Sequence, residues 1–326
     1  MKNVLVTGGT GCVGSNLAAA LIERGYCVSI LRREHSDLRA IAGIGVEHRF
    51  GDLRDLSSLQ AAMRGCDTVF HTAAIVSHQK KKWELQLEVN VIGTRNIVEA
   101  CVRTGIERLI HTSSVAAIGY PAGGRLATEE TDFNWPQRTG YRYSKHLAEK
   151  EVMAGVQRGL HAVMVNPSVI VGERDVHFHG GQLIRDIKKG RVPLYISGGM
   201  NVVYVGDVVR GHIQAALAGK NGERYILSGE NLTHKEIFRR TAGIVGGRGP
   251  IAELPLPLLR TTARIIEGVS DILGIEPLIT TDLVTNAGKL NWYSCEKAQR
   301  ELDYRITPFD ETIRAAYRWY RENGFL

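Results

Sequence analysis

Apolar and polar positions along this 326-residue chain sort into two kinds of segment. Short apolar runs stand at 4–7, 26–31, 46–50, 67–71, 108–111 and 161–165. Helix-forming stretches lie between them at 15–24, 55–64, 83–104 and 140–158. Strands and helices alternating at this length predict a parallel sheet covered on both faces. Right-handed crossovers then wind it into a Rossmann-type, doubly wound α/β sheet, whose ligands collect at the carboxyl ends of its strands.

From about residue 172 the pattern loosens. Gly180-Gly181, Gly198-Gly199, Gly246-Gly247 and the prolines at 193, 250, 255 and 257 punctuate it. A strand and helix are predicted at 202–218 and a strand at 224–228. Helices follow near 233–245, 256–273, 279–289, 294–302 and 308–322. This predicts a nucleotide-binding domain, 1–171 plus about 201–228. A smaller, mainly helical substrate lobe would hold 172–200 and 229–326. The 254–273 stretch reads as an amphipathic helix packed on that lobe's core; a membrane-surface role for a lipophilic substrate is the alternative.

The 44% hydrophobic and 23% charged composition is that of a soluble globular protein. No apolar run reaches the ~18–20 residues of a membrane span. No basic segment followed by an apolar one precedes the first strand. A cytoplasmic protein without an integral membrane segment is expected. Cys12, Cys27, Cys66, Cys101 and Cys295 are odd in number and form no C-x-x-C pair, which predicts free thiols rather than disulfides or zinc. The net charge of +7 suits an anionic cofactor or substrate. Lys80-Lys81-Lys82 stands beside a single Trp83 and lacks the interleaved aromatics of a nucleic-acid surface, so no nucleic-acid partner is expected. His177 and His179 lack a third ligand nearby, so no metal is expected.

The first apolar run leads into Gly8-Gly9-Thr10-Gly11-Cys12-Val13-Gly14 and then a helix. Glycines at this spacing allow a tight turn, close approach of a pyrophosphate and close packing of helix on strand. The helix start then holds the anion. An NAD binder prefers an acidic residue after the second strand. Leu31 is followed instead by Arg32 and Arg33, which can pair with a 2′-phosphate. NADP is therefore the expected cofactor, with NAD the alternative.

Tyr141 and Lys145 are four apart and share one face of the predicted 140–158 helix. A phenol has an ordinary pKa of about 10. A nearby ammonium and an oxidised nicotinamide favour the phenolate, which predicts proton exchange near neutral pH. The 109–114 segment ends in hydroxyls where the sheet delivers ligands. A serine there can donate to a substrate carbonyl oxygen.

Together these features resemble the extended short-chain dehydrogenase/reductase family over nearly the whole chain. The marks are Thr7 to Gly14, Gly51-Asp52-Leu53, His71-Thr72-Ala73-Ala74, Asn90 to Thr94, Thr112-Ser113-Ser114, Tyr141-x-x-x-Lys145 and Asn166-Pro167-Ser168. The resemblance implies Ser114, Tyr141 and Lys145 as catalytic residues. Ser113 is the stand-in for Ser114, and Tyr143 is offset from the motif. Implied cofactor contacts are Thr7, Gly8, Gly11, Cys12, Val13, Gly14, Arg32, Arg33, Asp52 at the adenine, Leu53, Ala73, Ala74, Asn90, Thr112, Lys145, Pro167 and Ser168. Implied substrate contacts are Ser114, Tyr141, Asn166, His177 and Phe178. Glu173 stands where the family commonly has proline. Asp207 is read as a helix N-cap.

Within the family the chain is similar to dihydroflavonol-reductase-like and 3β-hydroxysteroid-dehydrogenase-like members. It is also similar, through Gly222 to Thr233, to hopanoid-associated sugar epimerases. The expectation is hydride transfer between nicotinamide and a carbonyl or alcohol carbon of a fairly apolar small molecule, in a homodimer. Val176, Phe178, Leu183, Ile184, Val192, Leu194 and Tyr195 are expected to face that substrate, with Arg174, Arg185 and Lys188 the cations there. The first alternative is a nucleotide-sugar epimerase or dehydratase that retains NAD. Its pyrophosphate clamp would be Arg185 with Arg210 or Arg260. A non-catalytic dinucleotide sensor is the other alternative, and an intact Ser, Tyr and Lys argues against it.

Overall fold

A computed structural model describes residues 1–77, 80–121, 124–135, 140–273, 284 and 288–326. Seven parallel strands make the main sheet: β1 (Asn3–Thr7), β2 (Cys27–Arg32), β3 (Glu47–Phe50), β4 (Thr68–His71), β5 (Arg108–Thr112), β6 (Ala162–Pro167) and β10 (Arg224–Leu227). Their order is β3-β2-β1-β4-β5-β6-β10. The winding reverses between β1 and β4, so a crevice opens at the carboxyl ends of those two strands.

The period of two explains why the inner strands are apolar throughout. Val4, Val6 and Ile30 face one side of the sheet, with Leu17 and Leu21 of α1 (Cys12–Glu23) and Val208 and Ile213 of α7 (Val205–Ala218). Leu5, Leu31 and Val69 face the other, with α2 (Leu56–Met63), α4 (Gly93–Thr104) and α5 (Gly140–Gln157). Burying such an aliphatic side chain contributes roughly 1.5–3 kcal/mol.

The single helix predicted over 83–104 is instead three pieces: α3 (Trp83–Gln86), a π-helical turn (Leu87–Ile92) and α4. Asn90 sits in the wide turn, and its side chain clasps the backbone of Ile75: Ile75 N donates to Oδ1 and Nδ2 donates to the Ile75 carbonyl. A local widening of this kind re-aims one side chain without ending the helix.

The later half of the chain has more strand than expected. β7 (Val169–Val171), β9 (Gly199–Tyr204), β11 (Glu230–Thr233) and β13 (Leu290–Asn291) form a second sheet around β9. β8 (Leu194–Tyr195) pairs with β12 (Ala252–Glu253). The strand expected at 202 thus joins the second sheet, while the helix after it returns to the main one. Helices α6 (Gln182–Lys188), α8 (His234–Val245), α9 (Leu256–Leu273), α10 (Glu296–Leu302) and α11 (Phe309–Glu322) complete the lobe. The helix expected near 279–289 falls mostly outside the described residues. Ile184, Ile187, Ile237, Phe309 and Tyr320 form the lobe's core.

That core corrects one expectation. Val176 and Ile184 are buried, and Phe178, Leu183 and Val192 pack against the lobe's own cluster rather than lining a cleft. A second correction concerns Asp207, which lies inside the first turn of α7 and not at its N-cap, which is Tyr204. The buried Asp207 carboxylate accepts from Thr307 N and Oγ1 and pairs with Arg210, so it ties α7 to the lobe. Leu259 and Ala263 of α9 pack on Ile196 and Leu254. Among the described residues no helix is long and apolar enough to cross a membrane.

Candidate active site

The glycine loop fits a dinucleotide. Gly8 has φ +69°, and a Cβ there would sit 2.6 Å from the backbone N of Ala73. A Cβ on Gly14 would collide with the Gly8 carbonyl. Gly11 starts α1 with no side-chain cap, so the first-turn N–H groups are open to an anion. Cys12 Sγ and Asn16 Nδ2 both donate to the carbonyl of Glu173, whose carboxylate accepts from Tyr204 Oη. Glu173, the departure from the family pattern, therefore straps the loop after β7 onto the start of α1.

At the adenosine end a cavity of about 500 Å³ is lined by Arg33, Glu34, Phe50, Gly51, Asp52, Asp55 and Ser58. The two arginines expected to act together are separated here. Arg33 is exposed on the cavity, and its guanidinium makes no hydrogen bond among the described residues. Arg32 lies over Phe50 at 4.3 Å, donates from Nε to His48 Nδ1 at 2.8 Å, and also reaches the carbonyls of Arg33 and Glu34. Arg32 builds the wall and Arg33 faces the opening. Asp52 is paired with Arg54 at 2.9 Å, which holds its carboxyl down at about 2.

At the chemistry end Ser144, Lys145 and Glu149 are buried, while Ser114 and Tyr141 are half-buried. α5 carries Tyr141, Ser144, Lys145 and Glu149, and β5 delivers 112–114. Tyr141 Oη hydrogen-bonds with Ser114, and burial pushes the phenol up to about 12. Lys145 Nζ donates to the Thr112 carbonyl at 2.7 Å. Burial brings this ammonium down to about 8, and the Glu149 charge works against that fall. The expected phenolate is therefore not a property of the protein alone: desolvation outweighs everything else acting on Tyr141. Ser113 points elsewhere and donates to Glu149 Oε1 at 2.5 Å, so Ser114 and not Ser113 meets the tyrosine.

Several expected contacts turn out to support the site from beneath. Asn166 is fully buried and donates from Nδ2 to the Ser114 carbonyl and to Glu149, so it does not face a substrate. Asn90 Nδ2 also donates to Ser144 Oγ. Thr7 Oγ1 bonds His71, and Thr112 Oγ1 bonds His212 through the other face of the sheet. Leu53 and Pro167 are buried, and Ser168 donates to Asn201 of β9. Ala73 and Ala74 lie half-buried on the loop after β4, beside Gly8. His177 stands 3.7 Å from Asp37 in the loop after β2, and Phe178 stacks on Tyr320 at 4.7 Å. His177 thus sits beside the loop after β2, and Phe178 packs against the lobe core. Val13 is half-buried in the first turn of α1. Among the described residues no group of three metal-ligating side chains gathers. Two residues were missed: Glu149, whose spacing of four after Lys145 was legible, and Arg54, whose grip on Asp52 carries no pattern.

A family model described as the NAD dependent epimerase/dehydratase family matches residues 4–228. The chain is 36% identical to a putative dihydroflavonol 4-reductase from Synechocystis, covering 98% of this chain and 95% of that one. It is 32% identical to sterol demethylase protein B from Methylococcus capsulatus, covering 99% of each. The crystal structure of a nucleoside-diphosphate-sugar epimerase from Pseudomonas aeruginosa superposes with a TM-score of 0.83 at 25% identity, covering 100% of this chain and 99% of that one. Sequence, fold and glycine-loop geometry agree: this chain belongs to the NAD-dependent epimerase/dehydratase family, the extended short-chain dehydrogenases/reductases.

Proposed function

We propose that the protein is an NADP-dependent reductase of a fairly apolar ketone, with Ser114, Tyr141 and Lys145 as its catalytic residues. The observation that carries the choice of substrate is the state of the cations on the substrate side. Arg185 lies over the Phe178 ring at 4.5 Å and beside Asp186. Lys188 donates to the Val245 carbonyl, Arg174 to the Ala40 carbonyl, and Arg210 is held by Asp207. A nucleotide-sugar brings a pyrophosphate that wants a bidentate arginine clamp, and these four cations already have protein partners; the side chain of Arg260, the other expected clamp residue, lies outside the described residues. Relatives named for a dihydroflavonol and for a sterol point the same way.

The cofactor, when bound, supplies the hydride. Ser114 Oγ and Tyr141 Oη, hydrogen-bonded to each other, would exchange that bond for two donated to one carbonyl oxygen. A tyrosine at about 12 is protonated at neutral pH, so it gives a proton to the oxygen as negative charge develops there. Lys145, anchored on the Thr112 carbonyl, would offer its positive charge to the bound cofactor. Arg33 would meet a 2′-phosphate in the open cavity. The proposal takes the enzyme as a cytoplasmic homodimer with no nucleic-acid partner.

The test mixes protein and NADPH with aryl ketones, steroid ketones and nucleotide-sugars. Stoichiometric loss of NADPH absorbance with a ketone is the expected result. Interconversion of sugar isomers by protein that retains NAD would overturn it in favour of the epimerase.

A further inference from the structure

Glu149 lies one helical turn beyond Lys145 on α5 and is buried. Its carboxylate gathers donors from three other elements. Ser113 Oγ reaches Oε1 at 2.5 Å, Asn166 Nδ2 reaches Oε1 at 2.6 Å, and Arg224 Nη1 approaches Oε2 at 3.2 Å. A buried carboxylate is costly unless its lone pairs are satisfied and its charge is paired. Here both conditions are met, and the donors come from the segments that carry the chemistry. Ser113 stands between Thr112, whose carbonyl receives Lys145, and Ser114, which meets Tyr141. Asn166 spends its other amide hydrogen on the Ser114 carbonyl at 3.0 Å.

We propose that Glu149 is a positioning residue of this site: it clamps the 112–114 backbone through Ser113 and Asn166, and it sets its carboxylate charge one helical turn from Lys145 on the same face of α5. The remaining titratable groups here do not supply that charge. His71 on β4 and His111 on β5 are neutral, because burial pushes the first down to about 3 and the second well below its ordinary value. Tyr141 is protonated. His212 of α7, behind Thr112, is pushed down to about 4. His146 and Lys150 lie further round α5, and burial lowers His146. Arg224 of β10 is cationic, and its guanidinium also donates to the Glu129 carbonyl. Both cations draw on the one carboxylate, Arg224 through its hydrogen bond to Oε2 and Lys145 through the Glu149 charge, so Glu149 is shared between the two.

The test follows the 13Cε signal of Lys145 by NMR against pH in 13C-lysine-labelled protein, assigned by its loss in Lys145→Arg. This arm needs no substrate or cofactor. In Glu149→Gln the titration midpoint falls by about one pH unit, the scale of removing an opposite charge at this range. Glu149→Asp, which keeps the charge, stays near wild type. Arg224→Gln moves the midpoint up. A second arm rests on the ketone-reductase reading: the alkaline limb of kcat/KM shifts in the same direction as the Lys145 midpoint in each variant. An unchanged midpoint in Glu149→Gln overturns the proposal, and so does an equal fall in Glu149→Asp. If Glu149→Gln does not fold, Arg224→Gln decides, and an unchanged or lowered midpoint refutes the coupling. A protein that reduces no ketone refutes the reductase reading and leaves the NMR comparison standing.

Discussion

The two ends of the cofactor groove are built on opposite principles. At the chemistry end, polar groups are bonded to one another and mostly buried: a half-buried Tyr141 to Ser114, and below them Lys145 to Thr112, Asn166 and Ser113 to Glu149. At the adenosine end, Arg33 stands on an open cavity and Asp52 pairs with a half-exposed Arg54. Burial amplifies every charge and hydrogen bond at the first end, while solvent and salt dilute them at the second. The chemistry end is thus set by the protein's interior, and the adenosine end by which side chain happens to reach the opening. Mutations should separate the two in size and in kind.

The sharpest break is at Tyr141. Tyr141→Phe removes the proton donor and leaves the ring and its packing. Turnover should fall by at least ~10²-fold, the usual scale for losing a general acid, while NADPH affinity measured by fluorescence titration holds. Near-wild-type turnover would show that the Ser114–Tyr141 hydroxyl pair is structural and that the contrast between the ends is not one of chemistry.

A second test asks whether burial itself separates the ends. His71, His111 and His212 are all buried against the chemistry-end strands and all pushed down by desolvation, His71 to about 3 and His212 to about 4. In the unfolded chain these imidazoles take up protons near pH 6.5. Between that pH and the folded values the unfolded state binds more protons, so stability falls as pH falls. The effect is on the order of 2 kcal/mol per imidazole at pH 5. Tm by calorimetry should drop steadily from pH 7 to 5, a range in which the paired carboxylates of the adenosine end do not titrate. His111→Phe, which removes a ring with neither nitrogen partnered, should make the drop smaller. A Tm that is flat over this range would mean the buried imidazoles are hydrated.

What the sequence showed follows the same line. The parallel strands were legible because each is a continuous apolar run, and the glycine turn and Tyr141–Lys145 because spacing alone specifies their geometry. The second sheet was not legible: β8, β12 and β13 are two residues each, too short to show a period. The π-turn at Leu87–Ile92 was hidden because its cause, the Asn90 grip on Ile75, joins residues fifteen apart. The partners of Asn166, His177 and Phe178 were hidden for a related reason: a motif gives a residue its position in the chain, but its partner decides where the side chain turns. Arg32 and Arg33 look identical in sequence, and only His48 and Phe50, from the neighbouring strand, tell them apart.

That pair gives the smallest predicted effect and the cleanest reading of the adenosine end. Arg33 has its guanidinium open to the cavity, so Arg33→Ala should cost NADPH the charge-assisted bonds to a 2′-phosphate and cost NADH nothing. An exposed contact of this kind supports a loss of roughly ten-fold in NADPH affinity. Raising the salt from 0.05 to 0.5 M (about a three-fold shorter Debye length) should erode the wild-type preference in the same direction. Arg32 is committed to His48, to two carbonyls and to the Phe50 ring. Arg32→Ala should therefore weaken both cofactors alike, through a loosened wall. Titrating both dinucleotides against both variants separates the roles. If Arg32→Ala is the variant that abolishes the preference, Arg32 leaves its partners on binding and the wall is not preformed. If wild type binds NADH as tightly as NADPH, the open arginine selects nothing and the adenosine end belongs to NAD.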